Sequence, residues 1–411
     1  MPEFLELLPP AKALGLFIKA LPPASPEVEE IPTASASGRV LAVPVAAAEP
    51  LPGFTRSTVD GYAVFAADTF GASDSLPVYL SLAGEVAMGR SPDFELNRTQ
   101  AALIHTGGML PEGADAVVMV EMTQNTRAGE IEVMRAVAVG ENILRAGEDV
   151  SPGSEVIPRG TLIRAMEIGG LAALGVMTVR VAHRPRIGIL SSGDEVVPPD
   201  RNLRPGQVRD VNSYTLAALV EKEGGEPVLY GIIKDTREDL ERAVRQALKQ
   251  CDAVVITAGS SASTRDLTAQ VIQKMGEPGV LVHGVNVKPG KPTILGVCNG
   301  KAVIGLPGNP VSALVIARIF VLPVLHYLLG MENKMRSLVV SARLAVNLAS
   351  QAGREDWVPV RLKRTARGLE ADPIFYKSNL IFSLVRADGL VHIPADANGL
   401  EAGERVEVEI L

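Results

Sequence analysis

The sequence predicts a multidomain α/β plus β chain, and three observations predict it. At 411 residues the chain exceeds what one core can hold, and roughly two to four domains follow. Residues 184–330 alternate short apolar runs with helical stretches, the pattern of a mainly parallel, doubly wound sheet covered on both faces. The stretches 52–141 and 335–411 read instead as apolar runs cut by Gly, Pro and Asp turns, the spacing of small β units.

Composition bounds the function. Charged residues are 21% and hydrophobic residues 47%, so the chain folds. A net charge of −7 argues against non-specific binding to nucleic acid or anionic membranes, while leaving room for a local basic pocket. The two cysteines, Cys251 and Cys298, form neither a ligand spacing nor a disulfide framework, which fits a reducing cytoplasm. The start of the chain, with Glu3, Glu6, Pro9 and Pro10, is not a signal peptide. The apolar stretch 311–331 competes as a membrane span. Arg318 near its centre would cost roughly 2.5–3.5 kcal/mol there, and a strand and a cap precede it, so it reads as a buried helix.

In chain order, residues 1–50 hold a helix at 10–21, a Pro-rich joint and an Ala/Val segment. Apolar runs at 78–82, 101–104, 116–120 and 131–137 build the β-rich unit. Two of its loops carry polar features. In Arg56-Ser-Thr-Val-Asp60-Gly the Asp-Gly turn either projects a carboxylate or is an ordinary capped turn, and Thr106-Gly-Gly leaves a strand. Residues 142–181 carry Arg145-Ala-Gly-Glu-Asp149, a helix at 165–174 and a strand at 176–181. Their composition matches the first segment, so the two pack together and the β-rich unit is an insertion between them.

Strands at 186–190, 227–233, 253–257, 280–285, 293–297 and 302–305 are interleaved with helices at 213–223, 237–249 and 266–275, and Pro310 opens the last helix. Ligands of such folds bind beyond the carboxyl ends of the strands. There lie Ser191-Ser192-Gly193-Asp194-Glu195, the loop 258–266 ending in Asp266, and Leu306-Pro307-Gly-Asn309-Pro310. The C-terminal β unit has runs at 338–348, 357–362, 380–385, 390–393 and 406–411.

The residue types suggest an anionic ligand. Asn309 stands at an N-cap position with Pro310 behind it, and the free N–H groups of the helix start, through Ser312, suit an anion. Lys288 and Lys291, in Lys288-Pro-Gly-Lys-Pro292, add point charges. Asp194, Glu195, Asp210 and Asp266 are carboxylates of the kind that hold Mg²⁺ beside phosphates. Together they suit a phosphorylated or nucleotide-bearing ligand. No Ser-His-Asp pattern, zinc-type cluster, Walker loop or dinucleotide motif occurs, and the five histidines read as structural.

These motifs, taken in order, resemble the molybdopterin molybdenumtransferases of the MoeA type, related to the E domain of gephyrin. The resemblance spans almost the whole chain. It rests on Thr58-Val-Asp60-Gly-Tyr-Ala-Val64, Thr106-Gly, Pro111-Glu-Gly-Ala-Asp-Ala-Val-Val118, Ala146-Gly-Glu-Asp149 and Ser192-Gly-Asp-Glu195. Gly206-Gln-Val-Arg-Asp-Val-Asn212, Lys288-Pro-Gly-Lys-Pro292, Leu306-Pro-Gly-Asn-Pro-Val-Ser312 and Lys377-Ser-Asn-Leu380 complete it.

The resemblance implies four domains: an elongated one from 1–50 and 142–182, an inserted β-rich one at 51–141, a molybdopterin-binding α/β domain at 183–332 and a β-barrel at 333–411. It implies a homodimer whose site lies between the α/β domain of one subunit and the inserted domain of the other. The implied reaction takes adenylylated molybdopterin and molybdate, releases AMP with the help of Mg²⁺, and leaves molybdenum on the pterin. In it Asp60, Glu195 and Asp266 are expected to be catalytic, with Asp194, Glu195 and Asp266 at the metal. Thr106, Asp149, Ser192, Gly193, Asp210, Lys288, Lys291, Pro307, Asn309, Pro310 and Ser312 are expected to bind substrate. A molybdopterin adenylyltransferase is the expected partner. One departure stands out: the family's Gly-Gly-Val-Ser-x-Gly loop is here Ala258-Gly-Ser-Ser-Ala-Ser-Thr-Arg-Asp266. It points to alternatives, a tungstate-specific paralogue or a pterin carrier without turnover, while another nucleotide-dependent transferase would bind no pterin.

Overall fold

The structure is a computed structural model. It describes residues 7–258, 262–331, 338–366, 368–375 and 377–411, with backbone alone at 126 and 262–266. Asp266 and the altered loop at 259–264 therefore lie outside the residues whose side chains are described.

The first segment and the stretch after residue 142 do pack together. Strand Val28–Pro32 runs antiparallel to Thr178–Ala182, with Val28 opposite Ala182, and Val45–Ala46 pairs with Glu155–Ile157. Ala36, Leu41, Ile163, Leu171 and Val181 fill the small core between them.

Between these strands sits a six-stranded sheet in the order Ala116–Met119, Gly61–Val64, Gln100–Ile104, Val78–Val86, Glu130–Val133, Thr123–Arg127. The Asp60-Gly turn signal leads directly into Gly61–Val64, an internal strand buried throughout. At Gly61 a Cβ would lie 1.9 Å from the Val118 carbonyl oxygen, so the neighbouring strand admits no side chain there.

The α/β sheet runs Glu226–Ile233, Arg186–Ser192, Ala253–Ala258, Lys301–Pro307, Ile294–Cys298, Pro278–His283. The first four strands are parallel, and the last two pairings are antiparallel, so Ile294–Cys298 alone of the six runs against the rest. Alternate residues feed opposite faces. Ile187, Ile189, Val255 and Ile304 pack against the helix from Pro310, while Leu190, Val254, Ile256 and Val303 pack against Leu240 and Val244 of helix Arg237–Gln250. Burial on both sides is what made the strands read as continuous apolar runs. The first strand in sequence lies between the second and third, so the strand order reverses between Arg186–Ser192 and Ala253–Ala258. That is the switch point where such folds bind ligands.

The apolar stretch after Pro310 is mostly buried in this domain. It is three pieces, α-helix Pro310–Ile316, a π-helical turn Ala317–Val321 and α-helix Leu322–Leu328. The turn precedes Pro323, whose missing N–H cannot continue the helical ladder.

Strands Glu355–Thr365, Gly368–Pro373, Val339–Leu344, Arg405–Ile410 and Gly389–Ile393 close into a barrel, the last pairing back onto the first. Gly368–Pro373 had escaped notice, and the run at 380–385 is a helix, Ile381–Val385. A short apolar run does not distinguish the two by period. Strand pairing and side-chain contacts join the barrel to the α/β domain. Val287–Lys288 pairs in parallel with Glu355–Asp356, and Arg318 Nε donates to Glu409 Oε1 at 3.0 Å.

Candidate functional site

Two clefts open at the carboxyl ends of the parallel strands, and both are lined by Gly308 and Asn309 of the turn after strand Lys301–Pro307. The one pocket expected to unite lysines and carboxylates is divided in two. Lys288 and Lys291 line one cleft, and Glu195 and Asp210 the other.

The cationic cleft, of about 730 Å³, lies between the α/β domain and the barrel. Lys288, Lys291, Pro307, Asn309 and Ser312 line it from one side, and Arg354, Asp356, Trp357, Lys377 and Ser378 from the other. Gly290 allows the Lys288–Pro292 loop to lie flat on the domain. Its φ is +125°, and a Cβ would meet Ile316 at 2.3 Å. Arg354 grips the buried Asp356 with Nε and Nη2 at 2.7 and 3.1 Å, and Lys288 Nζ stands 3.7 Å from the same carboxylate. Trp357, the chain's single tryptophan, stacks on His392 with centroids 4.6 Å apart.

The helix start is not the open anion site expected. Asn309 holds the N-cap position without capping. Its Nδ2 donates to Ser378 Oγ at 3.0 Å, and the backbone N–H of Val311 donates to the Ser378 carbonyl at 3.1 Å. The barrel loop thus takes a donor that was expected to face a ligand. Pro310 lines the second cleft.

That second cleft, of about 560 Å³, sits over the switch point and is lined by Ser191, Ser192, Glu195, Asp210, Asn212 and Thr257. Asp210 is buried, and its Oδ1 accepts from Ser213 N–H at 3.1 Å. That bond lies at the first turn of helix Asn212–Lys222 and occupies a carboxylate oxygen expected to meet a ligand. Asn212 Nδ2 donates to the Gly308 carbonyl at 2.8 Å and fixes the wall between the clefts. Ser192 Oγ donates to Asp235. Gly193 leaves no room for a Cβ beside Val196 and Glu195. Asp194 is exposed, accepts from the Asp235 N–H at 3.4 Å, and is not among the lining residues, so the structure does not bring it into either cleft. Among the described residues no cluster of three or more His, Cys, Asp or Glu forms a metal site.

Asp60 and Thr106 meet on the inserted domain. Asp60 Oδ1 accepts from the Thr106 N–H at 2.8 Å and from its hydroxyl at 3.2 Å. Those bonds, the backbone one foremost, hold the Asp60 carboxyl below its usual range. His105, read as structural, stands between two acids, with Nδ1 3.8 Å from Asp60 and Nε2 3.1 Å from Glu85. Asp149 is exposed on a neighbouring loop whose backbone returns to Leu51.

Arg354, Asp356 and Trp357 were missed. The charged run Arg354-Glu-Asp-Trp357 at the head of a strand, carrying the only tryptophan, was the available signal.

Known proteins resemble this chain in sequence and fold along almost its whole length. The family model described as the MoeA N-terminal region (domain I and II) matches residues 8–175. The one described as a probable molybdopterin binding domain matches 188–327, and the MoeA C-terminal region (domain IV) matches 341–411. A molybdopterin molybdenumtransferase of Nostoc is 32% identical over 379 residues, covering 91% of this chain and 86% of its own. Two solved molybdopterin biosynthesis MoeA proteins of Pyrococcus horikoshii also match. One is 38% identical with a TM-score of 0.78, over 98% of this chain and 99% of that one. The other is 32% identical with a TM-score of 0.85, over 99% and 100%.

Proposed function

Because the chain belongs to the MoeA family, we propose that its two clefts divide the substrates of a molybdopterin molybdenumtransferase. The reaction belongs to molybdenum cofactor biosynthesis. Molybdate enters adenylylated molybdopterin, AMP leaves, and molybdenum stays on the pterin dithiolene. The observation that carries this reading is the shared wall. Gly308 and Asn309 line both clefts, so an oxyanion held by Lys288, Lys291 and Arg354 would lie beside a pterin nucleotide held over Ser192, Glu195 and Asn212.

In this reading the lysines and Arg354 supply charge that a tetrahedral oxyanion needs when it leaves water. Hydroxyls of Ser192 and Thr257 at the switch point suit the polar edges of the nucleotide. Magnesium commonly binds through one or two carboxylates plus substrate phosphates. Glu195, which faces the cleft, fits that role, and an ion held there would offset charge as AMP departs. Asp194 fits it less well, since it lines neither cleft.

The proposal includes a homodimer in which each subunit's Asp60, Thr106 and His105 face the clefts of the other, in the cytoplasm, with a molybdopterin adenylyltransferase supplying substrate. The test is AMP release from adenylylated molybdopterin with Mg²⁺, with molybdate and tungstate in competition. Release that requires molybdate supports the transferase. Binding without release would select a carrier, and no binding would end the pterin reading.

A further inference from the structure

Asp356 is the anomaly of the cationic cleft. It is 3% exposed, in the wall of a space whose other charged residues are Lys288, Lys291, Arg354 and Lys377. A carboxylate there repels an entering oxyanion and offsets one of its attracting charges, so a cleft selected for charge alone would not keep it. Nor would it be buried unpaired, because an uncompensated buried ion is strongly unfavourable.

Its partners explain it. Arg354 comes from the barrel side and binds it in a two-pronged grip. Lys288 comes from the α/β domain and is opposite Asp356 in the register of the parallel pair, with Nζ 3.7 Å away. One acid thus grips a cation of its own domain and lies beside a cation of another. The grip occupies two of the guanidinium nitrogens and fixes its plane, leaving Nη1 outside the pair. Both side chains otherwise sample many rotamers, and a ligand would have to order them on arrival.

Resting on the reading of this cleft as the oxyanion site, we propose that Asp356 is a positioning residue that presets Arg354 and Lys288 for the oxyanion. Its contribution is direction, and it acts against the net charge. The two roles predict opposite signs. Removing the acid should strengthen anion binding if charge dominates and weaken it if orientation does.

The experiment titrates the full-length protein with sodium molybdate, followed by calorimetry and by the fluorescence of Trp357. Asp356→Asn is expected to weaken binding about tenfold despite the added positive charge, and with a steeper dependence on salt, because loose cations act as diffuse charge. Asp356→Glu should recover part of the loss. Binding by Asp356→Asn as tight as wild type, or tighter, overturns the proposal. Should Asp356→Asn fail to fold, Asp356→Glu decides. It keeps the charge and displaces the carboxylate, so weakened binding supports positioning, and wild-type affinity overturns it. Lys288→Gln separates this inference from its premise. Unchanged binding in that variant refutes the cleft as the oxyanion site, whereas weakened binding there with intact binding in Asp356→Asn refutes only the role of Asp356.

Discussion

Asn309 and Ser378, from different domains, are joined by a hydrogen bond of 3.0 Å between Nδ2 and Oγ. The turn that divides the two clefts is thereby pinned to the barrel. Replacing either residue by Ala should cost about 1 kcal/mol, and the double variant less than the sum. A double-mutant cycle in denaturant should give a coupling of roughly 0.5–1.5 kcal/mol. Strict additivity would show that the seam contributes nothing.

Asp60 is largely exposed, with a side chain 65% accessible, so Asp60→Asn should leave stability within about 0.5 kcal/mol while reducing AMP release. If each site spans two subunits, mixing inactive Asp60→Asn and Lys288→Gln subunits should restore about a quarter of wild-type activity, since half the dimers would carry one intact site. No recovery after subunit exchange would place Asp60 and Lys288 in the same subunit's site, or outside it.

Two glycines should respond in opposite directions. Gly15 lies inside helix Pro10–Lys19 with nothing within 4 Å of a built Cβ, so Gly15→Ala should stabilise by roughly 0.5–1 kcal/mol. Gly61→Ala would press a methyl group onto the Val118 carbonyl and should destabilise by roughly 2–4 kcal/mol. Thermal melts of the pair test the packing of the inserted sheet.

Glu167 accepts from the Arg164 guanidinium and from the Arg164 backbone N–H at 2.8 Å, and these bonds hold its carboxyl down to about 2. A lowered folded-state value gives stability that is complete above the ordinary carboxyl range. It is lost as pH falls from about 4.5 towards about 2. Glu167→Gln should therefore lower the melting temperature at pH 7, and the gap should narrow steadily on acidification. A gap independent of pH would rule out this pairing as the cause.

Both cysteines are buried. Burial pushes the Cys298 thiol up to about 11 and raises that of Cys251, whose Sγ is 3.6 Å from the Tyr230 hydroxyl. Neither should react with a thiol reagent near pH 8 while the protein is folded. Labelling should follow unfolding in denaturant, and rapid labelling of native protein would contradict the burial.

Much of the α/β domain was legible because two-sided burial writes itself as apolar runs, as in Ile187–Leu190 and Val254–Ile256. Asn309-Pro310 and Lys288-Pro-Gly-Lys-Pro292 announced themselves through turn chemistry. What stayed hidden depends on neighbours remote in sequence. Asp356 has meaning only beside Lys288, and Ser378 only beside Asn309, and no periodicity records either. Gly61–Val64 was concealed by the Asp-Gly turn signal at its head. The split into two clefts follows from Asn212 holding Gly308, a contact between two segments that each stood out alone but whose meeting no local pattern records.

The two-residue pairing of Val287–Lys288 with Glu355–Asp356 has a consequence for a chain emerging from the ribosome. The α/β domain is synthesised before the barrel, and domains generally fold as units in the order of synthesis. Yet half the wall of the cationic cleft belongs to a ring closed only by Arg405–Ile410. A nascent chain stopped short of those last residues would carry the lysines of that cleft without the wall that faces them.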